Sequence, residues 1–147
     1  MVGLKQKLRA VSEGKAEPPP IMATLGMKVL RFGKGEATLT MEVDERFHNP
    51  MGTLHGGIMT DLADASMGLA TVTTLKEDET FTTLELKMNC LRPFRRGVIT
   101  SEAKVIHRGK TIALVEAVVK DNKKKQIARG IATQIIFRIP KQQNRRV

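Results

Sequence analysis

Between Ile58 and Val72 the apolar residues recur at helical spacing: Ile58, Leu62, Ala65, Leu69 and Val72 make one stripe, widened by Met59, Ala63 and Ala70. A stripe of period 3.6 marks a helix that buries one face, and Gly56-Gly57 just ahead of it supply a tight turn into its N-terminus. Asp64 falls on the other side, among Gly57, Gly68 and Thr71, so the pattern predicts a carboxylate in a strip of small residues about two turns from the glycines. On both sides of this helix the pattern changes to period two. Ala37, Leu39, Met41 and Val43 alternate with Glu36, Thr38, Thr40 and Glu42, which predicts a strand with one wet face, and residues 27–32 pair with it across the turn at Gly33 and Gly35. Four more strands are predicted at 81–91, 98–106, 111–120 and 126–139, separated by turn residues and reading as an antiparallel meander. In the first of them Leu84, Leu86, Met88 and Cys90 form one face and Thr83, Glu85, Lys87 and Asn89 the other, which makes Cys90 a small buried hydrophobe rather than a nucleophile.

One long helix with two strands before it and four after it predicts an α+β fold, a curved antiparallel sheet wrapped around the helix. Such a sheet has open edges, and a symmetric dimer that continues it is the expected way to cover one. Ahead of the sheet, Leu4, Lys7, Leu8 and Val11 predict a short amphipathic helix within residues 2–14, and Pro18-Pro19-Pro20 an extended linker. The expected organisation is therefore a helix and linker at 1–20, the domain at 21–140 and a polar basic tail at 141–147.

Composition narrows the classes. The chain has 147 residues, enough for one domain with a substantial core, and 41% of them are apolar without any run long enough to span a membrane. Cys90 is the single cysteine, and His48, His55 and His107 lack metal-ligand spacing, so neither a disulfide nor a metal site is expected. With no secretory pattern at the N-terminus, a cytoplasmic protein without cofactor is the expectation. The formal charge is +10, yet Trp and Tyr are absent and Phe numbers only five, which leaves little material for stacking on nucleic acid bases. A small phosphate-bearing ligand fits that charge better than nucleic acid does.

The candidate chemistry gathers at the turn into the helix. Helix N-terminal N–H groups lack intrahelical partners and carry partial positive charge, so an oxygen bearing negative charge can bind there. Taken singly, Asp64 reads equally as a solvated charge, Asn49 as a turn cap and His55 as a loop histidine. Together, however, Asn49-Pro50-Met51-Gly52-Thr53-Leu54-His55-Gly56-Gly57 followed by Leu62-Ala63-Asp64 resembles the signature of hotdog-fold acyl-CoA thioesterases of the phenylacetate-degradation type. The similarity extends over about residues 20–138 and includes Leu91-Arg92-Pro93 and the hairpin Arg108-Gly109-Lys110-Thr111.

The resemblance implies hydrolysis of an acyl-coenzyme A thioester by a homodimer, often paired into a homotetramer, with sites at the subunit interface. It implies that the Gly56 amide is the oxyanion donor and that Asp64 is nucleophile or general base. Asn49 would position the water or the carboxylate, and His55 would hold the loop and the thioester, with Gly57 beside it. Thr83 would supply a hydroxyl, and Arg108, Gly109, Lys110 and Thr111 would contact coenzyme A. Two other uses of such a domain are weighed against this: a non-catalytic acyl-CoA sensor, and an enoyl-CoA hydratase. The acyl group itself is not specified by these residues.

Overall fold

The computed structural model describes residues 3–139, so the basic tail expected at 141–147 lies outside the described residues. The chain runs α1 (Leu4–Ser12), α2 (Pro20–Leu25), β1 (Lys28–Gly33), β2 (Glu36–Val43), a single 3-10 turn at Glu45–Phe47, α3 (Gly56–Val72), β3 (Glu79–Cys90), β4 (Gly97–Arg108), β5 (Ile112–Lys120) and β6 (Gln126–Arg138). All six strands join one antiparallel sheet around α3, as the period-two and period-3.6 stretches predict.

Strand order is the first difference from expectation. The sheet runs β1-β2-β4-β5-β6-β3, so the last four strands are not one meander: β4, β5 and β6 are, and β3 lies at the far edge against β6. The reason is α3, which carries the chain across the concave face from β2 to the opposite edge and leaves β2 free to pair with β4. The second difference is at the prolines. Pro20 starts α2 instead of extending the linker, because the first helical position needs no N–H and its fixed φ suits a helix. Gly26, at φ 68°, closes that one and a half turns in the left-handed region, and Met22 and Leu25 enter the core.

The sheet wraps α3 so far round that its buried arc is broader than the predicted stripe. Met59, Leu62, Ala63, Ser66, Met67, Leu69, Ala70, Thr71 and Val72 are all buried, while Ile58 and Ala65 are only half-buried. Ser66 meets this cost by donating to the Ala63 carbonyl and bonding Ser101 on β4 at 2.7 Å. Along β3 the contacts with α3 run antiparallel. A Cβ on Gly68 would stand 3.2 Å from the Phe81 ring, Asp64 bonds Thr83, and a Cβ on Gly56 would stand 3.3 Å from Cys90 Sγ. The small residues on this side of the helix are what let the edge strand come so close.

Candidate active site

The turn that delivers the chain to α3 is tied down by its own backbone and by the segment between β3 and β4. Asn49 Oδ1 accepts from the N–H groups of Met51 and Thr53, and Asn49 Nδ2 donates to Thr53 Oγ1, so the side chain holds a compact Asx-type turn. Gly52, at φ 69°, completes it. The passing chain then buckles this loop to the sheet: Leu54 N–H donates to the Phe94 carbonyl at 2.7 Å, Arg95 Nη1 to the Gly52 carbonyl, and His48 Nε2 lies 2.7 Å from the Arg95 carbonyl oxygen. His55 N–H donates to the Phe47 carbonyl, which leaves its ring over the helix start.

His55 is the N-cap of α3. Its Nδ1 accepts from Gly57 N–H at 2.9 Å, which requires that nitrogen to be unprotonated and turns Nε2 outward. Ile58 and Met59 donate to the His55 carbonyl, so three of the first four helical amides have partners. The fourth, Gly56 N–H, has no acceptor among the described residues. It is an open donor at the positive end of a 17-residue helix, beside Cys90 Sγ. Cys90 is exposed, not buried as expected: it shares the inward side of β3 with Leu86 and Met88 but stands at the open end of the sheet, past the core.

Asp64 sits eight residues further along. It is half-buried, and Thr83 Oγ1 donates to its Oδ1 at 3.2 Å. Burial lifts its carboxyl above the ordinary range, the Thr83 hydrogen bond pulls the other way, and the charge of Asp61 adds a further upward push. Asp61 itself is exposed. Behind Thr83 lies Gln134, fully buried, whose Nε2 reaches Thr83 Oγ1 at 3.4 Å while its Oε1 has no partner among the described residues. Gln134 was not singled out above. Its signal is that it is the one polar residue in the inward-facing series Ala128, Gly130, Ala132, Gln134, Ile136 of β6. From Asp64 an open groove of about 260 Å³ runs between α3, β3 and the N-terminal helices.

The remaining candidates stand apart from this pair. The Arg108–Thr111 hairpin joins β4 to β5, and Arg108 is turned onto Glu79 at 2.6 Å, with the Glu79 carboxyl held low by the Lys76 N–H first and Arg108 second. Gly109 N–H closes the hairpin on the Ile112 carbonyl, the Thr111 carbonyl accepts from Ile136 N–H, and Lys110 is exposed at the tip. Asn49, His55, Gly56 and Gly57 are thus grouped at the helix start and Asp64 with Thr83 about 12 Å along its axis, from a rise of 1.5 Å per residue. No group of three or more His, Cys, Asp or Glu side chains among the described residues could hold a metal ion.

Residues 51–128 match the thioesterase superfamily. A Saccharolobus solfataricus protein, provisionally named an esterase, is 33% identical over 135 residues, which is 92% of this chain and 96% of that one. A 1,4-dihydroxy-2-naphthoyl-CoA hydrolase of Listeria monocytogenes is 31% identical over 105 residues, 71% of this chain and 85% of the relative. Among solved structures, a point mutant of the phenylacetic acid degradation protein PaaI of Thermus thermophilus superposes with a TM-score of 0.74 at 29% identity, over 80% of this chain and 98% of that one. The six-stranded sheet curled around α3 is the hotdog fold, and the chain belongs to the thioesterase superfamily as a thioesterase of the PaaI-like kind.

Proposed function

We propose that the protein hydrolyses acyl-coenzyme A thioesters in a symmetric dimer, with Asp64 of one protomer and the Gly56 amide of the other acting on the same carbonyl. The observation that carries this reading is the half-buried Asp64, oriented by Thr83 at the end of an apolar groove. A thioester carbonyl polarised by a fixed N–H is open to attack, and water needs a base to become a competent nucleophile. Thr83 occupies Oδ1, so Oδ2 faces the water: as the water oxygen bonds to the carbonyl carbon, its proton passes to Asp64. The tetrahedral oxyanion then collapses, the carbon–sulfur bond breaks, and the thiolate leaves with the proton from Asp64 as the acid is released.

The span of about 12 Å between Gly56 and Asp64 on one rigid helix exceeds what a single carbonyl can bridge. Pairing β3 edge to edge about a two-fold axis near Leu86 and Lys87 sets the Cys90 end of one strand beside Thr83 of the other. Because Gly56 accompanies Cys90 and Asp64 accompanies Thr83, this pairing joins the two halves twice over. A net charge of +10, with Lys110 exposed, suits the phosphates of coenzyme A. His55 and Asn49 serve in this reading by fixing the turn that presents the Gly56 amide.

Mixing the protein with acyl-CoAs and a thiol-reactive dye tests the proposal. Thiol release with turnover is expected, and Asp64→Asn is expected to bind but to lose about 10²–10⁴-fold in kcat. Saturable binding without thiol release would make the chain an acyl-CoA sensor, and enoyl absorbance lost without thiol release a hydratase. Wild-type turnover by Asp64→Asn would remove that residue from the chemistry.

A further inference from the structure

Fourteen residues line the groove at Asp64, and Asp64 and Thr83 are the only polar ones among them. One wall is the body of the fold, with Leu69 from α3 and Phe81 from β3; the other is Leu4 and Leu8 from α1 and Ile21 from α2. These last three precede the 51–128 region matched by the family. Leu8 packs against the core, but α1 has no buried residue, Lys5 Nζ donates to the carbonyl of Thr73 just past α3, and Leu4 and Ile21 keep 39% and 51% of their surface exposed. Apolar side chains left open around the mouth of a groove gain burial when an apolar group enters it.

We propose that this groove takes an unsubstituted hydrocarbon acyl group, and that the N-terminal segment sets how long that group can be. The inference rests on the thioesterase reading of the same site. A ring hydroxyl or a terminal carboxylate carried along the groove away from the thioester gives up water and meets only apolar side chains, since Asp64 and Thr83 stand at the reacting end, bonded to each other and to the attacking water, and the Asp64 charge repels a second carboxylate. The name of the Listeria relative gives it a dihydroxylated aromatic acyl group; among the described residues, the wall that one protomer supplies has no side chain beyond Asp64 and Thr83 to receive those hydroxyls. Chain length is a separate matter. Leu8 is half-buried on the face of α1 turned to the groove, so its bulk decides how far an acyl chain can extend past Phe81.

The test compares kcat/KM of the full chain for butyryl-, octanoyl-, phenylacetyl-, 4-hydroxybenzoyl- and succinyl-CoA. Octanoyl- and phenylacetyl-CoA are expected to exceed 4-hydroxybenzoyl- and succinyl-CoA by about tenfold or more. Leu8→Trp is expected to lower the octanoyl-to-butyryl ratio by about tenfold, and Leu8→Ala to raise it, with circular dichroism showing that each variant is folded. Equal rates for polar and hydrocarbon acyl groups overturn the inference, as does a chain-length profile that neither folded variant moves. If no acyl-CoA releases thiol, the thioesterase reading fails by itself. Calorimetric titration of Asp64→Asn then reads the groove directly: octanoyl-CoA binding about tenfold or more tighter than succinyl-CoA supports the inference, and equal binding overturns it.

Discussion

Asp64 is caught between two opposing effects, and each can be removed separately. Burial favours its protonated form and the Thr83 hydroxyl its ionised form, so the acid limb of the kcat/KM profile is expected above the ordinary carboxylate value of 3.8. Thr83→Val deletes the bond that favours ionisation and should move that limb to higher pH. Gln134→Leu should move it in the same direction by less, because Gln134 reaches Asp64 only through the Thr83 hydroxyl, and in the double variant it should add nothing to Thr83→Val. An additive double variant would show that Gln134 acts by another route. The same raised carboxyl makes a stability prediction. With the folded-state value above the unfolded one, the unfolded chain ionises first, so stability falls as pH rises from the unfolded to the folded value and stays lower above it. Asp64→Asn should therefore unfold at a higher temperature than wild type at neutral pH, with the two converging in acid. Asp64 and Thr83 were legible in the sequence as candidates, but the alternation put Thr83 on the wet face of β3; the bulge between Thr83 and Glu85 turns it inward to Asp64 instead. Gln134 was not, since a polar residue in a strand has no visible partner until the neighbouring strand's register is known.

The element that holds the open amide is the first turn of α3, and it depends on a histidine in a role usually taken by Ser, Thr, Asp or Asn. His55→Ala should cost about 1 kcal/mol through loss of the bond from Gly57 N–H, while His55→Asn should recover most of it, both read as shifts in a urea midpoint. Equal loss in the two variants would mean that the ring matters for packing and not as a cap. Elements of this kind were the most legible part of the chain: α3 begins at the glycine pair and every predicted strand is present, because burial of one face leaves a periodic trace in the sequence. Pairing leaves no such trace. Nothing in the alternation of residues 81–90 says whether β3 lies beside β4 or β6, and the bulge between Thr83 and Glu85 that leaves Leu84 exposed interrupts the alternation itself. The loop ahead of α3 was legible as breakers only. That Phe94 and Arg95, from the far side of β3, would clamp it follows from the crossover and not from any local signal.

At the scale of the whole molecule, the placement of β3 decides how many chains a site requires. A 12-residue strand at a sheet edge, with Leu84 exposed upon it, is a surface that a second copy can extend. If β3 pairs with its own copy, each site takes Gly56 from one protomer and Asp64 from the other. Complementation between two inactive variants tests this. Gly56→Pro removes the donor while suiting the backbone: Gly56 is the first helical position, and His55 at φ −63°, ψ 132° already has the extended conformation that precedes proline. Gly56→Pro and Asp64→Asn should each be nearly inactive alone. Denatured together in equal amounts and refolded, half of the dimers are mixed, and each mixed dimer holds one site with both Gly56 and Asp64 intact. About a quarter of wild-type activity should return, with sedimentation equilibrium confirming that the active species has at least two chains. A site contained in one protomer gives no recovery at all, because every chain in the mixture then lacks either its donor or its base.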